Sequence, residues 1–158
     1  MNFATPQQAA AWALSKKHDP HFAQHYAEVR PIPLNLKFPK NYDCSGFFTW
    51  CYWACGLDDP NGVAYNGSGY TGTLVANGVQ VPLATATLPG DAVIYFSDNT
   101  FKTSVHVAMV VSPGADPLTI SMGEEGDPSA VHVSQDGRPH KFYRFSHKQH
   151  QAPQAIPA

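Results

Sequence analysis

Asp43-Cys44-Ser45-Gly46-Phe47-Phe48-Thr49-Trp50-Cys51-Tyr52-Trp53 is the stretch on which the rest of the chain turns. It follows an extended segment punctuated by Pro31, Pro33 and Pro39. Its aromatic run predicts a helix from about Cys44 to Ala54, capped by Asp43 and ended at Gly56. A cysteine at such a junction has two reasons to react. Unpaired backbone N–H groups and the positive end of the helix dipole both favour the thiolate, which is the nucleophilic form. Cys44 is therefore the candidate nucleophile. Cys51 and Cys55, four apart within the helix, read as small core residues.

The totals bound what surrounds this stretch. A chain of 158 residues with 43% hydrophobic and 12% aromatic content makes one domain with a real core. Twelve glycines and 14 prolines, spread among turns, fit a loop-rich α+β fold. A net charge of −2 provides no basic patch, so nucleic acid is not an expected partner. Three cysteines cannot all pair with one another, which argues against a disulfide-built scaffold and leaves at least one free thiol. The N-terminus lacks the basic and apolar regions of a signal peptide, and no apolar run approaches membrane-spanning length. The expectation is a monomer made in a cytoplasm, with no membrane partner, no cofactor and no metal.

Thr5-Pro6-Gln7-Gln8 reads as a helix start with a capping box, continued to Lys17 with Trp12 toward the core. His21 to Val29 suggests a second short helix. After the Cys44 helix, Asp58-Asp59-Pro60-Asn61-Gly62 is a turn, and Tyr65 to Gly78 a glycine-rich loop leading into a short apolar stretch. From Leu88 the chain reads as antiparallel β: residues 92–96, 105–111, 118–122, 130–133 and 141–145, about five strands, with Gln135-Asp136-Gly137-Arg138 as a hairpin. Residues 1–148 form the expected domain, and residues 149–158, rich in Gln, Ala and Pro, a linker or tail.

A cysteine nucleophile needs a base, itself oriented by a third group. Of eight histidines, His106 alone interrupts an apolar strand, Val105-His106-Val107-Ala108-Met109-Val110-Val111. Strand alternation puts it on one face with Ala108 and Val110, where a helix terminus has room to approach. His18, His21 and His25 have helical spacing, but Pro20 interrupts them and no acidic partner follows, so a solvated face fits better than a metal site. The loop from Gly67 to Gly72 lacks the lysine and hydroxyl of a phosphate loop, and is expected to border a substrate cleft or the surface.

Taken together, Asp43-Cys44-Ser45-Gly46-Phe47, Pro89-Gly90-Asp91-Ala92-Val93-Ile94-Tyr95-Phe96 and His106-Val107-Ala108-Met109-Val110-Val111 resemble NlpC-type cell-wall cysteine peptidases in order and spacing. The resemblance covers roughly Trp12 to Phe145. It implies a papain-like core, with the cysteine helix packed on a small antiparallel sheet that carries the histidine. More narrowly, Glu28-Val29-Arg30-Pro31, the Asp59-Pro60-Asn61-Gly62 turn and Gly69-Tyr70-Thr71-Gly72 resemble peptidase domains of phage endolysins of actinobacteria. What this implies is a peptidoglycan hydrolase. Cys44 would be nucleophile and His106 base, with the helix-start N–H groups, supported by Asp43 and Ser45, stabilising the oxyanion, and Tyr70 beside the substrate. An endolysin would lack a signal peptide, act at the bacterial wall, and continue beyond the tail into a further catalytic or wall-binding domain.

The third member departs from the family pattern. Thr119-Ile120-Ser121-Met122-Gly123-Glu124-Glu125-Gly126-Asp127-Pro128 resembles a Ser-His-Gly-Ser-Glu stretch of the phage relatives, and Met122 falls where the polar residue belongs. Methionine accepts no useful hydrogen bond from an imidazole N–H. Glu124 is the first candidate to orient His106 and Ser121 the next, with a backbone carbonyl or water as the other routes. The family's upstream Tyr-x-Trp-Gly-Gly element is also absent, and Tyr42 is the tyrosine nearest the motif. Two further readings follow: a CHAP-type amidase or endopeptidase using Cys44, His106 and Glu124, and a catalytically silent wall-binding module.

Overall fold

A computed structural model describes residues 5–19, 25–37, 40–123 and 127–146. The chain opens with helix α1 (Pro6–Ser15), whose capping box forms as its sequence predicts. The Gln8 N–H donates to Thr5 Oγ1 at 3.3 Å and the Thr5 N–H donates to Gln8 Oε1 at 3.0 Å. Two-residue strands β1 (His25–Tyr26) and β2 (Asn41–Tyr42) then pair in parallel and lead into helix α2 (Cys44–Ala54). Helix α3 (Thr71–Asn77) and strand β3 (Val79–Val81) follow. The remaining elements are β4 (Ala92–Phe96), β5 (Ser104–Ser112), β6 (Leu118–Met122), β7 (Pro128–His132), the one-turn helix α4 (Val133–Asp136) and β8 (His140–Arg144).

The sheet has six strands in the order β3-β8-β4-β5-β6-β7, every neighbouring pair antiparallel. Helices α1 and α2 cover one face, making an α+β fold. Strand alternation divides the core in two. Ile94, Phe96, Val107, Met109, Ile120 and Met122 join the helices in the larger cluster. Val93, Tyr95, Ala108 and Phe142 form a smaller cluster on the other face with Val133. Apart from Trp53 every residue of α2 is buried, as expected of a helix that is apolar all round and enclosed between other layers. Phe48 stacks on Tyr52, and both meet Phe145 edge-on. The indole N–H of Trp50 donates to Asn35 O at 2.7 Å and the Tyr52 hydroxyl to Gly90 O at 2.7 Å, so the polar tips of these large side chains are satisfied.

The β5–β6 register shifts between Val110 and Ser112: Ser112 faces Leu118, but Val110 faces Thr119 and Met109 faces Ile120. This is a β-bulge. Where a helix is predicted over His21–Val29, residues 25–26 form β1, because pairing with β2 outweighs local helix preference. The glycine-rich stretch contains α3, started by Tyr70 and Thr73 rather than by any apolar repeat. Edge strand β3 extends the predicted five strands to six. The proposed tail, 149–158, lies outside the described residues.

Candidate active site

Cys44 opens α2, and Asp43 is its N-cap. The Asp43 carboxylate accepts from the Gly46 N–H at 2.8 Å, and the Phe47 N–H donates to Asp43 O at 3.0 Å. An aspartate is among the strongest N-caps because its oxygen satisfies a donor that the helix leaves unpaired. Gly46 is required here by space: a Cβ would lie 2.8 Å from Asp43 Oδ1 and 3.0 Å from the Tyr42 ring.

The thiol is buried, at 4% exposure, and three donors converge on it. The Tyr26 hydroxyl lies 3.7 Å from Cys44 Sγ. The backbone N–H groups of Ser45 and Val107 also reach the sulfur. Val107 can do so because the β5–β6 pairing runs from Ser112 to Met109, so Val107 lies beyond the last pair. Cys44 thus occupies the split end of the sheet, beside the strand position that follows His106. Burial pushes the thiol up from its ordinary value and the Asp43 charge adds to this, while the Val107 N–H, the Tyr26 hydroxyl and the Ser45 N–H pull it down. Burial is the largest effect and the net direction is up. The donors at the helix end thus oppose burial without outweighing it.

His106 is half-buried, its ring stacked on Tyr95 with centroids 5.7 Å apart and planes 28° apart. Its Nε2 lies 3.3 Å from Ser121 Oγ. Ser121 is buried and shares the imidazole's side of the sheet, whereas Met122 points into the helix-side core and is fully buried there. The structure therefore brings Ser121, not Met122, to His106. Glu124 lies outside the described residues. A cleft of about 340 Å³ opens beside the histidine, lined by Tyr26, His106, Ser121, Val105, Val131 and Arg138, together with Gly123 and Ser129. Arg138 is held by Asp136 through two 2.7 Å bonds, with its guanidinium 5.1 Å over the Tyr95 ring.

Tyr42 is buried with its hydroxyl donating to Pro33 O, away from the thiol. Tyr70 is 53% exposed at the start of α3. Tyr26, Arg30 and Tyr95 escaped the sequence reading. Tyr26 reaches Cys44 only through the β1–β2 pairing, for which two residues carry no periodic signal. Burial raises the Tyr26 hydroxyl further from ionisation, and the neighbouring thiol adds to this, so Tyr26 acts as a donor. His18, one of the three spaced histidines, lies 2.6 Å from Asp127, His21 lies outside the described residues, and the Asp59 carboxylate accepts from the backbone N–H groups of Asn61, Val63 and Tyr65 as a turn residue does.

No family model matches the chain, and no curated protein does. Solved structures do. NlpC2 from Trichomonas vaginalis superposes with a TM-score of 0.61 at 18% identity, over 94% of this chain and 49% of that one. NlpC1 from Trichomonas vaginalis gives 0.60 at 19%, over 92% and 45%. An NlpC/P60 family protein from Bacillus cereus ATCC 10987 gives 0.61 at 17%, over 91% and 41%. The chain spans about half or less of each of these proteins. With its helices on a six-stranded antiparallel sheet and a cysteine at the start of the central helix, the chain has a papain-like fold similar to that of the NlpC/P60 proteins.

Proposed function

We propose that this chain is a cysteine peptidase acting on peptidoglycan, an endopeptidase that cleaves stem or cross-bridge peptides. The observation that carries the proposal is the meeting, at the split end of the sheet, of a helix-capped thiol, the strand bearing His106, and an open cleft. Cys44 is the nucleophile. His106, whose Nε2 lies beside Ser121 Oγ, takes the thiol proton as general base. The sulfur attacks the peptide carbonyl, forming the S–C bond. The C–N bond then breaks as the imidazolium returns its proton to the leaving amine. Water, activated by His106, hydrolyses the thioester to a carboxylate and regenerates the thiol. Gly46 and Phe47 spend their N–H groups on the cap, and the Ser45 N–H faces the sulfur, so the Cys44 N–H, now directed at the Tyr26 hydroxyl, is the first-turn donor that an oxyanion would take over. Ser121 orients the imidazole by accepting a hydrogen bond from its Nε2–H.

Arg138, held in place by Asp136, puts guanidinium N–H donors on the cleft wall that suit a carbonyl or carboxylate of a stem peptide. The Ser121 contact favours the enzymatic reading over a silent wall-binding module, for which Met122 was the motive. The endolysin role belongs to the same proposal, with synthesis in a host cytoplasm and action on the wall, and rests on the loop resemblances described above. The test is digestion of purified actinobacterial peptidoglycan by the wild type and by Cys44→Ala, with released fragments identified by mass spectrometry. New peptide termini from the wild type alone support the proposal. Cleavage between sugar and peptide would move the assignment to an amidase, and no new termini would remove both.

A further inference from the structure

Arg30 touches none of the reacting atoms, yet its guanidinium is committed to the segment that holds the nucleophile. Nη2 donates to Asp43 Oδ2 at 2.9 Å and to Ser45 Oγ at 3.0 Å. Nη1 donates to Asp43 Oδ1 at 3.4 Å and to Val29 O at 2.9 Å. Nε donates to Gly69 O at 2.8 Å. The pair is largely out of water, with side-chain exposures of 22% for Arg30 and 11% for Asp43. The glycine-rich loop is packed hard against the same segment. The Ile32 N–H donates to Gly67 O at 2.9 Å, and a Cβ on Gly67, whose φ is +86°, would lie 2.4 Å from Pro31 Cβ.

A neutral serine or asparagine would cap α2 as well as Asp43 does. An aspartate brings a negative charge next to a sulfur that must itself become negative, and nearby like charges disfavour ionisation. We propose that Arg30 is a positioning residue for the reaction: it fixes the Asp43 carboxylate as the cap of α2 and cancels its charge, so that the nucleophile can ionise beside it. This rests on Cys44 being the nucleophile. Arg30 fits the task because its planar fork engages both carboxylate oxygens and still reaches Ser45 and Gly69. The other groups facing the thiol are the Tyr26 hydroxyl from β1, the N–H groups of Ser45 and Val107, His106 one residue along β5, and Arg138 from the segment before β8. Of these, Ser45 also touches Asp43, its hydroxyl 3.4 Å from Oδ1.

The test measures the rate of iodoacetamide labelling at Cys44 against pH, read by mass spectrometry of the peptide that contains it. This does not depend on peptidoglycan turnover, so it separates failure of the Arg30 proposal from failure of the proposed activity. Arg30→Met is expected to raise the apparent pKa by about one unit, roughly tenfold less thiolate at a fixed pH below it. Arg30→Lys, which keeps the charge but loses the fork, is expected to stay closer to the wild type. Adding Asp43→Asn to Arg30→Met is expected to return the pKa to near its wild-type value, although the contacts remain lost. Should Arg30→Met not fold, Asp43→Asn alone decides, since it leaves Arg30 unopposed and is expected to lower the pKa. A labelling profile unmoved by Arg30→Met, or by Asp43→Asn where Arg30→Met does not fold, would overturn the proposal and leave Arg30 as a structural brace.

Discussion

The two sides of the candidate site are held by different means. Cys44 sits at the start of a helix buried all round, with a charged cap, an arginine locked onto that cap, and three donors on the sulfur. His106 stands on the open side of the sheet, at the wall of a cleft, leaning on one tyrosine ring and one 3.3 Å contact to a serine. The nucleophile is fixed by directional polar bonds in a nearly dry place, where removing one partner strands another. The imidazole rests on ring stacking and a hydroxyl contact, an arrangement that substitution should weaken by degrees. The cysteine side should therefore respond to mutation abruptly, and the histidine side gradually.

Cys44→Ala should abolish release of peptidoglycan fragments while leaving the thermal transition within a few degrees of the wild type. Residual hydrolysis above background would detach the activity from this thiol. His106→Ala should lower kcat by about 10²–10⁴-fold, the usual contribution of a general base. Asp43→Ala should cost about 2–4 kcal/mol in a denaturant titration, because it removes a cap and leaves a half-buried guanidinium unpaired. A loss below about 0.5 kcal/mol would mean that the cysteine side is no more tightly wired than the other. Ser121→Ala should lower kcat only about 3–30-fold with KM little changed, the size of one neutral hydrogen bond or somewhat more. Equal losses from Ser121→Ala and His106→Ala would erase the contrast.

A separate effect, outside the site, is on stability at alkaline pH. Burial raises Cys55 to about 12 and Cys51 well above its ordinary value. In the unfolded chain both thiols ionise from roughly pH 8.5, while the native ones keep their protons. The unfolded state then binds fewer protons, so stability is whole below that pH and falls as pH rises toward 12, by at most about 1.4 kcal/mol per pH unit for each thiol. Chemical denaturation at pH 8 and pH 10 measures it, and Cys55→Ala should flatten the slope.

Much of this architecture is legible in the residues themselves. Thr5 and Gln8 announce α1, Asp43 and the aromatic run announce α2, and the apolar strands from Ala92 onward announce the sheet, because capping and alternation are local and have fixed periods. The same locality made Cys44 and His106 stand out. Tyr26 and Arg30 were silent because what they do depends on partners far along the chain, Cys44 for one and Asp43 and Gly69 for the other. Helix α3 was hidden by the glycines around it, and β3 by being an exposed edge with little apolar pattern. Glu124, the first candidate to orient His106, lies outside the described residues. Ser121 was weighed second to it because Met122 aligned with the family's polar position by sequence.

The register past the bulge in β5 decides which of Ser121 and Met122 lies on the imidazole's side of the sheet. Carried unbroken from its Ser112–Leu118 pair toward the histidine, the hairpin would set Ala108 opposite Met122, on the imidazole's side of the sheet. The shift between Val110 and Ser112 sets Met109 opposite Ile120 instead, which gives Ala108's side to Ser121 and turns Met122 into the core. The extra residue reconciles two registers: with it, the pairing at Ser112 and the pairing at Met109 coexist, and a hydroxyl rather than a thioether lies beside the imidazole. Deleting that residue would straighten the hairpin yet keep Ser121 beside the imidazole, because Met109 would still pair with Ile120.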